Sequence, residues 1–179
     1  MRNCTTEKTA ENQRKLCDAL MELAVKNPYD HIFVSDICLM AGLSRRSFYR
    51  YFSNKDEVLL AILQGSVMEC SVQAMELRLD IAQLKELLNR FFLFWKEQRR
   101  ELLEMLRKNR LENLLMDEYL EWSVKELQSY SDKTVSQTTI IFAVTGILAV
   151  LFQWSDRNFD DDPELLSSET ARLLARMIG

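Results

Sequence analysis

The chain is poor in breakers, with two prolines and four glycines in 179 residues. So few interruptions, set among abundant Leu, Met, Glu, Lys and Arg, favour helices throughout. No sustained apolar–polar alternation appears, so the signature of half-buried strands is missing. There is one histidine, His31, and the four cysteines (Cys4, Cys17, Cys38, Cys70) stand far apart with no Cys-x-x-Cys pair. That excludes a Cys/His zinc site, and His31 has neither a histidine partner nor a nucleophile motif beside it. Asp160, Asp161 and Asp162 lack the spacing of a calcium loop and read as a capped turn. No catalytic residue, metal or cofactor is expected, and no enzyme activity. The N-terminus shows no apolar signal segment, which points to a cytoplasmic protein with reduced, inert thiols.

A long apolar run is missing too. No charge occurs between Lys133 and Asp156, but the continuously apolar part spans only Ile140 to Phe152 and is broken by Thr145 and Gly146. A membrane span needs about 20 apolar residues. A helix buried in protein is expected there, and no membrane partner.

Acidic residues outnumber basic ones, for a net charge of −4. The distribution matters more than the total. Residues 1–60 carry a net +1 and the remainder a net −5. An acidic body would repel DNA and help orient a basic head towards it. Within residues 42–55, Gly-Leu-Ser-Arg-Arg-Ser-Phe-Tyr-Arg-Tyr-Phe-Ser-Asn-Lys, there is no acid at all. Phe48 and Phe52 are four apart and share one helix face, while Arg45, Arg46, Arg50 and the hydroxyls occupy most of the rest. An apolar back can dock on a scaffold while the cationic front meets phosphates and base edges.

The surrounding pattern supplies that scaffold. A first helix is expected over about Glu7–Lys26, with an apolar stripe of Leu16, Ala19, Leu20, Leu23 and Ala24, closed by Asn27-Pro28. Val34, Ile37, Cys38 and Ala41 form a short second helix, and Gly42 follows where the chain needs a left-handed residue. Ser44 is a good N-cap for a third helix from Arg45 to about Phe52. Helix, glycine turn, helix is the helix-turn-helix arrangement. A fourth helix starts near Ser53-Asn54, where Asp56 and Glu57 suit its positive end but Lys55 does not. A phosphate would explain that lysine.

The stretch Ile37 to Leu59 resembles the DNA-binding head of the tetracycline-repressor (TetR/AcrR) family. Asp36-Ile37, Gly42-Leu43-Ser44, Ser47-Phe48-Tyr49-Arg50-Tyr51-Phe52 and Lys55-Asp56-Glu57 carry the likeness, which covers about a third of the chain. Phe33 stands where the family often has Thr, and Cys38 where it often has Ala. The resemblance implies an all-α protein. Residues 1–53 would form a three-helix helix-turn-helix head, and residues 54–179 a helical ligand-binding and dimerisation body. It further implies a homodimeric repressor on a palindromic operator in double-stranded DNA, released by a small-molecule inducer of unknown identity. Carried over by position, Ser44, Ser47, Tyr49, Tyr51 and Lys55 would hold phosphates. Arg45, Arg46 and Arg50 would reach base edges, and Ser35 would touch phosphate or a base. A helical wheel independently turns Arg46 and Arg50 farthest from Phe48 and Phe52. Tyr51 reads equally well as a rim residue of a small core.

The body carries no motif of its own. Phe91, Trp95, Met105, Tyr119 and Trp122 are candidates to line an apolar effector pocket, with plain core packing as the alternative for each. Phe142, Gly146 and Ala149 on a helix of about 134–155, with Leu173 and Met177 on the last helix, suggest a dimer seam. The alternative is the central helix of a monomer. A rival of another class keeps the fold, loses DNA and acts as a helical interaction protein, a protein coactivator.

Overall fold

The computed structural model describes residues 2–72, 81–129 and 136–178. Among these, nine α-helices and one 3-10 turn make up the regular structure, with no strand. The chain divides into two compact units, Met1–Gly65 and Ser66–Gly179.

The first unit holds α1 (Arg2–Lys26), the 3-10 turn Tyr29–His31, α2 (Val34–Ala41), α3 (Arg45–Phe48) and the start of α4 (Lys55–Val72). α1 begins earlier than the stripe required, because no glycine or proline interrupts residues 2–6. α1 packs on α2, and Leu16, Leu20 and Ala24 are buried, as are Ile37, Cys38, Phe48 and Phe52. Gly42 closes α2 at φ 65°, the left-handed conformation that only glycine adopts without strain. α3 is shorter than its pattern suggested. It closes at Phe48, and the next residues tighten into a turn through Arg50 N–H to Ser47 O (3.3 Å) and Tyr51 N–H to Phe48 O (2.8 Å). Phe52 still reaches the core, because its own N–H returns to Phe48 O at 3.0 Å.

The second unit takes up the rest of α4 and contains α5 (Ile81–Glu97), α6 (Arg100–Asn109), α7 (Glu112–Ser129), α8 (Gln137–Asp156) and α9 (Pro163–Ile178). α5 packs along α9, and α7 along α8. Trp95, Trp154, Phe92, Leu103 and Leu151 fill the core. Ser136 caps α8 by accepting the Thr139 N–H at 3.1 Å, and Asp162 caps α9 by accepting the Glu164 N–H at 3.0 Å.

α8 corrects one expectation. It is not buried within its own chain: only 28 % of its most apolar window is covered, and Phe142 stands 67 % exposed. By length and composition this helix could cross a membrane. Its open face, however, also carries Thr138, Thr145 and Gln153, polar groups that hydrocarbon would leave unsatisfied.

Candidate functional site

Ser44 sets the geometry of the head's cationic face. Its Oγ accepts the Ser47 N–H at 3.1 Å, and its hydroxyl donates to Ser47 Oγ at 3.1 Å. The cap fixes the start of α3, so Arg45, Arg46, Tyr49 and Arg50 all emerge into solvent while Phe48 is fully buried behind them. Tyr49 lies edge-on to Phe48 at 5.4 Å. The neighbouring Tyr49 phenol raises the already high pKa of the Arg45 guanidinium. Among the described residues no side-chain hydrogen bond or ion pair engages Arg46 or Arg50. Ser35 is exposed on α2.

Two of the expected phosphate ligands are engaged inside the protein. The Lys55 ammonium donates to Tyr29 O (2.7 Å) and Ile32 O (3.2 Å) and sits 4.4 Å from the centre of the Tyr29 ring. Tyr29 in turn donates its hydroxyl to Asp56 Oδ1 at 2.7 Å. A cation at this helix start, unfavourable to the dipole, is thus satisfied by carbonyls of the preceding turn. Tyr51 accepts from Asn12 Nδ2 at 3.1 Å and is only half-exposed. At α2, Phe33 offers no side-chain cap. Its backbone N–H instead donates to Asp36 Oδ2 at 2.9 Å, half of a capping box.

The second unit holds a cavity of about 210 Å³. Phe91, Tyr119 and Trp122 supply its aromatic walls, and Cys70, Arg90 and Ser123 its polar ones. Leucines of α5 and aliphatic residues of α8 complete it. Trp95 and Met105 do not line it. Trp95 is completely buried and donates its indole N–H to the Tyr119 hydroxyl at 3.0 Å, and Met105 is in the core. Burial pushes the Cys70 thiol up to about 11, partly offset by its hydrogen bond with Tyr119. Burial first, and then the thiol, push the Tyr119 phenol well above its ordinary value. Cys70, Ser123 and the α8 residues were not picked out from the sequence. Ser123 lies one turn beyond Tyr119 and could have been found by that spacing, but Cys70 could not.

The open faces of α8 and α9 carry Phe142, Gly146, Ala149 and Leu173, the last 62 % exposed. The Met177 side chain lies outside the described residues. No group of three or more His, Cys, Asp or Glu among the described residues could hold a metal.

An exposed cationic face behind a glycine turn, capped by serine and backed by buried aromatics, defines a helix-turn-helix head. The family model for bacterial regulatory proteins of the tetR family matches residues 16–62, which cover all of this face. The transcriptional activator DhaS of the dhaKLM operon, from Lactococcus lactis subsp. lactis (strain IL1403), is 35 % identical over 63 residues. That stretch is 35 % of this chain and 34 % of the activator, so the matched stretch spans about a third of the curated relative. A putative TetR-family transcriptional regulator from Syntrophomonas wolfei str. Goettingen superposes with TM-score 0.71 at 14 % identity, over 94 % of this chain and 95 % of that one. The TetR-family repressor AlkX from Dietzia sp. strain DQ12-45-1b, implicated in biodegradation of n-alkanes, gives TM-score 0.63 at 19 % identity, over 93 % and 94 %. At these identities the two structures establish the fold. Residues 16–62 thus match the tetR family of bacterial regulatory proteins, and the chain has the fold of the TetR-family regulators on which it superposes.

Proposed function

We propose that this protein is a ligand-responsive transcriptional regulator that binds a palindromic operator as a homodimer. The observation that carries the reading is the acid-free face of residues 42–55, held open by the Ser44 cap with Arg45, Arg46, Tyr49 and Arg50 in solvent. Arg46 and Arg50 read bases, and Arg45 is steadied for that task by Tyr49. Ser44, Ser47 and Tyr49 hold phosphates. The uncovered faces of α8 and α9, with Phe142, Gly146, Ala149 and Leu173, form the two-fold seam, which places two heads on two half-sites. The cavity beside Tyr119 takes the effector, which releases the operator by binding the DNA-incompatible state more tightly. Repression is the sign assigned, as for AlkX, whereas DhaS activates. A cytoplasmic location follows from the role.

Selection from a pool of random duplexes at two salt concentrations, with sequencing of the bound fraction, tests this reading. The wild type should enrich a palindrome whose affinity falls steeply with salt, and the Arg45→Ala, Arg46→Ala, Tyr49→Ala triple variant should enrich nothing. Reporter expression with and without the gene then reads the sign.

One observation favours a second reading, a protein-docking head. Phe33 and Leu39 are 66 % and 84 % exposed on α2, beside a groove that Met40 and Ile32 help line. Absent or sequence-blind duplex binding in the selection would favour it.

A further inference from the structure

The cavity of the second unit is apolar almost throughout, yet a buried phenol opens onto it. Among the described residues its lining holds no Asp, Glu, Lys or His, and Arg90 alone is charged. Its guanidinium is half-exposed and paired with Glu86, one turn back on the same helix, so its charge is compensated and wet. The Cys70 thiol and the Tyr119 phenol are neutral at physiological pH even when free, and burial pushes both further from ionisation. Among the described lining residues only Arg90, already paired with Glu86, could replace the hydration that an ionised ligand would lose.

The donor is the Tyr119 hydroxyl. It accepts from the Trp95 indole N–H at 3.0 Å, which leaves its own proton to give. The Cys70 thiol lines the same cavity as its neighbour, and a sulfur is a weak acceptor. An indole donor on the phenol oxygen also polarises the phenol proton, because successive hydrogen bonds reinforce one another. A strong, underused donor thus lies in an apolar space. Trp95 itself is fully buried behind Tyr119 and cannot touch a ligand.

Size narrows the class further. An apolar cavity of about 150 Å³ accommodates benzene, and this one measures about 210 Å³. A single substituted ring of about eight to ten non-hydrogen atoms fills it comparably.

We propose that the cavity takes a neutral, single-ring molecule bearing one acceptor oxygen, that Tyr119 donates its proton to that oxygen in place of Cys70, and that Trp95 is the positioning residue for the donor. This rests on the reading of the body as the effector-binding part, and it names the chemistry of the effector.

Calorimetric titration of the full-length protein, without DNA, compares three probes of nearly equal size: acetophenone, ethylbenzene and benzoate. Acetophenone should bind at least tenfold more tightly than ethylbenzene, and benzoate should give no heat. Tyr119→Phe should bring acetophenone down to the ethylbenzene level and leave ethylbenzene unchanged. Trp95→Phe should lower the acetophenone-to-ethylbenzene ratio without weakening ethylbenzene, a pattern that a purely structural loss would not give. Equal binding of the two uncharged probes, benzoate binding as tight as acetophenone, or no binding by any probe would each overturn the ligand class. A ratio that survives Tyr119→Phe, or collapses in Ser123→Ala, would overturn the donor assignment. If the Tyr119 variant fails to fold, the ranking of probes on the wild type still decides the class. A parallel duplex-release assay separates the two readings. Acetophenone that binds without altering duplex affinity removes the effector role but leaves the ligand class standing.

Discussion

The head and the body solve opposite problems with side-chain hydrogen bonds. In the head, the bonds that cap the turn bearing Arg45, Arg46 and Arg50 and the start of α2 are local: Ser44 to Ser47 and Phe33 to Asp36 each span three residues, although Lys55 and Tyr51 are tied to residues 23 to 39 positions away. In the body, the bonds that shape the cavity and core join distant segments. Trp95 meets Tyr119 across 24 residues, and Lys96 reaches the carbonyl of Phe159 across 63. A recognition surface must present charge to a partner, so it is built from short helices whose caps lie in the motif itself. A binding cavity must exclude water, so it is made by packing helices that the sequence keeps apart.

The largest effect that would break this comparison comes from the back of α3. All three tryptophans (Trp95, Trp122, Trp154) lie in the second unit. Phe48 is completely buried in the first. Phe48→Ala should cost about 3–5 kcal/mol of head stability. Far-UV circular dichroism should then show an early loss of helix while tryptophan emission stays native. Simultaneous loss of both signals would show that the two units unfold as one.

Next in size is an alkaline effect, read in the body through its tryptophans. Cys70 titrates at about 11 when folded and at 9.0 when free, so its contribution is complete below pH 9. As pH rises from 9 to 11 the unfolded thiol ionises first, the unfolded state binds fewer protons, and stability falls by about 2–3 kcal/mol. Denaturant midpoints followed by tryptophan emission should drop over that window and drop less in Cys70→Ala. An unchanged slope in the variant would remove the thiol as the cause.

The smallest effect sharpens the view of the head. Ser44→Ala removes the cap of α3 and should cost about 1 kcal/mol. Duplex affinity should fall with it while the salt dependence keeps most of its slope, since no cation is lost. A slope unchanged within error, with unchanged stability too, would mean that the cap is dispensable.

How much could be read in advance follows the same division. Gly42 announced a left-handed turn and Ser44 a cap, and both positions behave so because backbone sterics and a hydroxyl at N-cap act within a few residues. The length of α3 was overestimated, because the apolar spacing of Phe48 and Phe52 is compatible with a helix or with a tighter turn. Lys55 shows the limit more sharply. Its awkward place at a helix start was visible in the sequence, but the carbonyls of Tyr29 and Ile32 that engage it came from a turn more than twenty residues earlier. In the body, aromatic residues at helical spacing look alike whether they line a space or fill it. Tyr119 and Trp122 face the cavity while Trp95 and Met105 do not.

The helical class, the position of the helix-turn-helix and the likeness of the head to the tetR family are legible in the sequence, because each depends on chemistry repeated or capped within one or two turns. Tertiary structure alone decided which face of α8 stays uncovered, that Cys70 meets Tyr119, and that Trp95 stands behind it as a donor. Those outcomes depend on which helices pack against which, a choice made by the whole core and written in no single stretch of the chain.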